Sequence, residues 1–172
     1  MKTIFKAAAA AILAVAAAFA LRAMYMTASV DSSGDNVMDV YQDMMLQARA
    51  MFVEKADDIQ SATAALLDDT GLEIMSDKDG RPWVMQNGEA VSPDDAVPAA
   101  QPYLDEVFAE YECGGKIYNI KVCENAVLFF TGYHESGSVG FLYEKTLGSV
   151  TEFTELLELS ENWKLFYDMS EE

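Results

Sequence analysis

The chain has 172 residues, room for one ordinary domain and a short extension. Its residues are 51% apolar and 11% aromatic, so a core can be buried and the composition of a disordered chain is excluded. All 29 acidic residues, but only eight of the 11 basic ones, follow Met26. That balance excludes nucleic-acid binding, which depends on Lys and Arg against phosphate.

The first feature along the chain is KAAAAAILAVAAAFALRAMYM at residues 6–26. Lys2 and Lys6 stand before an uncharged run from Ala7 to Leu21. As a helix this run is about 22 Å long, short of the ~30 Å hydrocarbon core. Extended through Met26, with Arg22 snorkelling to the interface, it is long enough to span. Ala16-Ala17-Ala18 and Ala18-Phe19-Ala20 both match the small-x-small pattern of a cleavage site. Positive charge before the run and an acidic chain after it orient the start inward and the body outward. The expectation is a signal peptide or signal-anchor helix over 1–26, with alanine's weak apolarity tipping the balance toward cleavage. Either way the body is extracytoplasmic: secreted, periplasmic or anchored to the membrane through residues 1–26.

Residues 27–36, TASVDSSGDN, are small and polar and form a linker. A single acidic α+β domain is expected over 37–172. Apolar residues recur at Val37, Val40, Tyr41, Met44, Ala48, Met51, Phe52 and Ile59 with the three-then-four spacing of a helix. The pattern predicts one long helix, or two with a break near Asp57, ending before Gly71. Its methionines are ordinary core filling, or else an adaptable binding surface, because thioethers repack easily.

LEIMSDKDGRPWVMQNGEA then gives two short apolar runs around a tight turn at Asp77-Lys78-Asp79-Gly80. A calcium loop centred on Gly80 would take its first and last ligands from Met75 and Gln86, and neither is a carboxylate. Three of the four prolines lie in AVSPDDAVPAAQPY, a connection leading into a second helix from Gln101 that Gly114-Gly115 ends. KIYNIKV, AVLFFTG, VGFLYEK and NWKLFY are β-branched and aromatic, and predict strands. In the first, Tyr118, Ile120 and Val122 alternate with a wetter face of Ile117, Asn119 and Lys121. The stretch Glu152–Glu161 reads as a polar helix or loop. The fold class expected is therefore α+β: a long helix and a second helix packed on a mainly antiparallel sheet.

Chemistry is sparse. Cys113 and Cys123 are the only cysteines, and in an exported body they form a candidate disulfide. Their spacing, with no partnering His or Cys cluster, suits neither zinc nor a CxxC redox site. His134 is the only histidine and sits in the turn GYHESGSVG, outside the strand-turn-helix setting of a nucleophilic serine. Adjacent pairs such as Asp57-Asp58, Asp68-Asp69 and Asp94-Asp95 point apart, whereas glycoside hydrolysis needs two carboxyls facing each other across a cleft. Trp83 and Trp163 are expected in packing, with a ligand groove as the other reading. No catalytic, cofactor-binding or metal residue is assigned, and no cofactor is implied. Met44, Met51 and Trp83 form the candidate partner-binding surface.

The function expected is that of a non-enzymatic extracytoplasmic module that binds another envelope protein. The alternative is a small carboxylate-dependent hydrolase acting on an envelope polymer. Intact-mass measurement of the protein from its native cells tests the address: an N-terminus at Phe19 or Leu21 is expected for a cleaved leader. A full-length chain in the soluble cytosol overturns the export reading.

Overall fold

A computed structural model describes residues 37–77, 81–134, 137–150, 153 and 155–169. The expected leader at 1–26 and linker at 27–36 lie outside the described residues. Helix α1 (Val37–Glu54) turns Tyr41, Met45, Ala48, Met51 and Phe52 into the core, as the helical spacing requires. The helix breaks at Lys55, whose backbone leaves helical geometry with φ −123° and ψ 37°. Its ammonium reaches the Glu106 carbonyl at 2.6 Å and lies 4.7 Å from the Tyr111 ring centroid. Helix α2 (Ala56–Leu66) then buries Ile59, Ala62 and Leu66. Beside the break, Glu54 accepts from the backbone N–H groups of Glu112 (2.7 Å) and Cys113 (3.3 Å).

The hairpin of β1 (Leu72–Ser76) and β2 (Pro82–Gln86) follows, and Asn87-Gly88 turns the chain back into a short strand, β3 (Glu89–Val91). Asn87 takes a positive φ of 52°, as that turn demands. The single turn α3 (Pro93–Ala96) leads to α4 (Gln101–Phe108), which buries Leu104, Val107 and Phe108. The remaining strands are β4 (Asn119–Val122), β5 (Ala126–His134), β6 (Gly137–Glu144), β7 (Glu155–Glu158) and β8 (Trp163–Met169). Three of these elements depart from the sequence reading: α4 stops at Phe108, short of the Gly114-Gly115 end expected of it, and two strands are additional. β3 is a strand of its own, and Glu155–Glu158, expected as polar helix or loop, pairs with β8.

All eight strands form one antiparallel sheet in the order β3-β2-β1-β4-β5-β6-β8-β7. Alternation along each strand gives the sheet an inner and an outer face. Ile74, Val84, Ile120, Phe129, Phe141 and Leu165 face inward and pack with α1, α2 and α4 into the main core. The fold class is α+β, with helices packed on an antiparallel sheet. On the inner face Met44 lies over Gly132, where an added Cβ would collide with the Met44 methyl. Among the described residues no helix is long and apolar enough to cross a membrane.

The outer face carries a second, smaller cluster of Leu128, Leu142 and Phe166, packed by Phe130, Val150, Phe153 and Leu156. Phe166 and Phe130 meet edge-to-face at 5.3 Å, and a Cβ added at Gly140 would collide with the Phe129 carbonyl oxygen and the Phe166 ring. The cover is tied down by Glu144, at the end of β6, whose side chain is fully buried. Glu144 accepts hydrogen bonds from the N–H groups of Gly148 (3.0 Å) and Val150 (3.2 Å), and the Lys164 ammonium lies 3.0 Å away. Burial alone would raise its pKa, but the two N–H donors and Lys164 outweigh burial and hold it below the ordinary glutamate value.

The folded-state pKa is therefore depressed. The stabilisation from Glu144 is complete above the pKa of an unfolded glutamate, about 4.3, and is lost as pH falls through the lower folded value. Glu144→Gln leaves Lys164 without its counter-charge and is expected to cost about 2–3 kcal/mol at neutral pH in urea unfolding. The loss should shrink as the pH is lowered below about 4, because the wild-type carboxyl is then protonated as well. An unchanged urea midpoint at pH 7 counts against this role.

Candidate functional site

Among the described residues no helix packs on the outer face of the sheet, which is only partly covered, and the open part lies over β2, β1, β4 and the adjoining half of β5. Strand register sets Trp83, Met75, Asn119 and Phe130 side by side across these four strands. At about 4.8 Å per strand the row is roughly 14 Å wide. Trp83 is on this face because its neighbour Val84 is wholly buried in the main core. Trp83 is 40% exposed, Tyr118 42% and Tyr133 57%, unusual values for rings that a sheet has room to cover.

The β5 bulge between Phe130 and Gly132 shifts the register so that Tyr133 pairs with Ser138 and returns to the outer side. The Tyr133 ring stacks on Phe130 at 5.9 Å, with planes 7° apart, and approaches Tyr118 at 6.3 Å. Burial raises the Tyr133 hydroxyl pKa, a hydrogen bond from Asn119 works against this, and Glu73 adds to the rise. Asn119 itself donates to the Glu73 carboxylate at 2.6 Å, while its Oδ1 is buried with no hydrogen-bond partner among the described residues. The Lys116 ammonium sits 5.0 Å above the Tyr118 ring, and Lys121 lies in register between Glu73 and Leu128. The result is a surface of aromatic rings edged by hydroxyls, an amide and cations.

The residues singled out in the sequence are not brought together here. Met51 is fully buried and Met44 is packed between α1 and Gly132, both on the inner face, so neither belongs to a surface with Trp83. Trp163 is in the core, as a packing tryptophan should be, and Trp83 is not. Tyr118 escapes the expected alternation because β4 begins only at Asn119. Ile117 is buried and Tyr118 turns out to solvent. Phe130 and Tyr133 have no separate signal in the sequence, since the bulge that redirects Tyr133 leaves no distinctive residue pattern.

Cys113 and Cys123 are not bonded to each other. Cys113 packs against the main core and Cys123 against the outer cluster, so the sheet stands between them. Burial pushes the Cys113 thiol up, and the Glu54 carboxylate beside it pushes further, leaving little thiolate at neutral pH. His134 ends β5 in register with Gly137. Among the described residues no three His, Cys, Asp or Glu side chains gather as a metal set.

A shallow, open depression lies on the inner side, between α2 and the turn that joins β7 to β8. Its walls include Gln60, Thr63 and Ala64 of α2, Tyr143 of β6, Trp163 of β8 and Glu161 of the turn. Glu161 is the one carboxylate in its lining, where paired acid–base hydrolysis takes two.

Denatured without reductant, both cysteines are expected to take iodoacetamide and add two adducts to the mass. Labelling only after reduction would restore the disulfide and contradict the packing just described. The chain matches no protein-family model, no curated protein and no solved structure.

Proposed function

We propose that the protein is a non-enzymatic extracytoplasmic module that binds another envelope protein through the open face of its sheet. The observation that carries the reading is the group of Trp83, Tyr118 and Tyr133, left 40–57% exposed on the outer face. Trp and Tyr are the side chains that dominate binding energy at protein interfaces, since they bury large areas at a small rotamer cost. Lys116 and Lys121 beside them supply polar rim contacts.

The placement outside the cytoplasm rests on the basic, alanine-rich start and the acidic body behind it. If the leader is retained, residues 1–26 also hold the module at the membrane.

A photo-crosslinking residue placed at position 83, 118 or 133 in intact cells tests the face. The same adduct is expected from all three positions and not from position 53, an exposed site on α1. In that adduct's purified complex, Trp83→Ala should weaken binding about tenfold or more, the range of an interfacial anchor residue. Equal crosslinking from position 53, or none from the three aromatic positions, would sink the proposal.

A further inference from the structure

We infer that Met75 and Met85 form a reversible oxidation site on the open face, where a peroxide converts their thioethers to sulfoxides and so weakens docking. The effect on docking rests on the reading of that face given above, whereas the chemistry stands on the placement of the two side chains. Met75 is the direct cross-strand partner of Trp83 and is set opposite Asn119 on its other side. Side chains opposite each other on one face have Cβ atoms about 5 Å apart, so the thioether and the indole are immediate neighbours. Met85 follows Trp83 by two positions on β2, on the same side of the sheet and about 7 Å along the strand. Both methionines are partly exposed, whereas Ile74 and Val84, which alternate with them, are wholly buried.

The core-facing methionines of α1 are placed differently. Met45 and Met51 are 7% and 0% exposed in the main core. Peroxide attack follows access to the sulfur, so a core methionine reacts only when the packing around it opens. In the step itself a sulfur lone pair attacks one peroxide oxygen. An S–O bond forms, the O–O bond breaks, and the departing hydroxide takes a proton and leaves as water. Sulfur is oxidised and the peroxide is reduced by the same electron pair. A dithiol reductase reverses the step: the sulfoxide oxygen leaves as water and the dithiol becomes a disulfide. The product differs from the thioether where docking would feel it. A thioether is soft and apolar and repacks under a partner's side chains. A sulfoxide carries a strong acceptor that loses its water on docking, and it stands beside Trp83, the anchor ring of the face. The proposed extracytoplasmic address puts this face in the oxidising compartment.

The purified full chain, in detergent, is treated with limiting hydrogen peroxide and its peptides are mapped by mass spectrometry. Met75 and Met85 are expected to gain oxygen on the order of tenfold faster than Met45 and Met51. The chain carrying the photo-crosslinker at position 133 is then oxidised until both are sulfoxides, freed of peroxide and mixed with an envelope fraction. Its adduct is expected to fall about fivefold or more, the loss typical of a disturbed interface centre. Methionine sulfoxide reductase with dithiothreitol should restore the adduct, and dithiothreitol alone should not. In Met75→Leu/Met85→Leu, a swap of similar volume that keeps both cysteines, the same treatment should move the adduct less than about twofold from that variant's own starting yield. Equal oxidation of the core methionines, no recovery with the reductase, or an equal fall in the double variant each overturns the inference. An adduct unmoved by oxidation overturns it alone, whereas no adduct from the unoxidised chain overturns the open-face reading and this one with it.

Discussion

The buried pair of Glu144 and Lys164 decides how much of the sheet's second face is covered. A carboxylate without solvent contact is tolerated only because two backbone N–H groups and an ammonium surround it. Those N–H groups belong to Gly148 and Val150, so meeting the charge also folds the segment after β6 back onto the sheet. Val150 and Phe153 then lie on Leu128, Leu142 and Phe166 as a second small core. The cover stops where that segment stops. Beyond it, the outer side chains of β4, β1 and β2 are at most partly buried, and Trp83, Tyr118 and Tyr133 stay exposed. A single satisfied buried charge thus divides one face into a packed half and an open half.

Much of the fold could be read before any coordinates. The helical spacing through Ile59, the break within two residues of Asp57, the start of α4 at Gln101 and the four aromatic strands all follow from period and turn chemistry. What escaped was decided by distant contacts. Glu155–Glu158 carries a glutamate at each end and is a strand only because β8 offers it an edge. Tyr118 looks like an inward residue until the strand is seen to begin one position later. The candidate surface suffered most, because exposure depends on where the cover of a face ends, and nothing in the sequence of β1, β2 or β4 records the reach of the segment after β6.

The methionines show the same limit from the other direction. A Met stripe on a helix has two uses, and spacing alone does not separate them. The sheet separates them here, since Gly132 leaves a gap that the flexible Met44 side chain fills and Met51 is wholly buried beside it in the core. Adaptability is used for packing on an irregular strand, next to the β5 bulge, and not for binding. Trp83 was paired with these methionines by residue type, yet strand parity alone puts it on the opposite side of the sheet.

An open sheet offers a partner two kinds of surface, its edges and its face, and the two edges here are poor hosts. β3 is three residues long and runs into Ser92-Pro93, where the chain turns into α3 and the strand stops. β7 is four residues long and begins and ends on glutamate. Short, charged or proline-stopped edges are the usual means by which a sheet avoids adding a foreign strand. Main-chain pairing therefore has little to grip at either end. The face between them is different in kind, because Trp83, Phe130 and Tyr133 lie on strands held on both sides by paired neighbours, and Tyr118 directly precedes another. Such a surface changes little on docking, so a partner would lose only its own freedom and a few ring rotamers. That rigidity is the physical reason to place recognition on Trp83, Tyr118 and Tyr133 rather than on the sheet's edges.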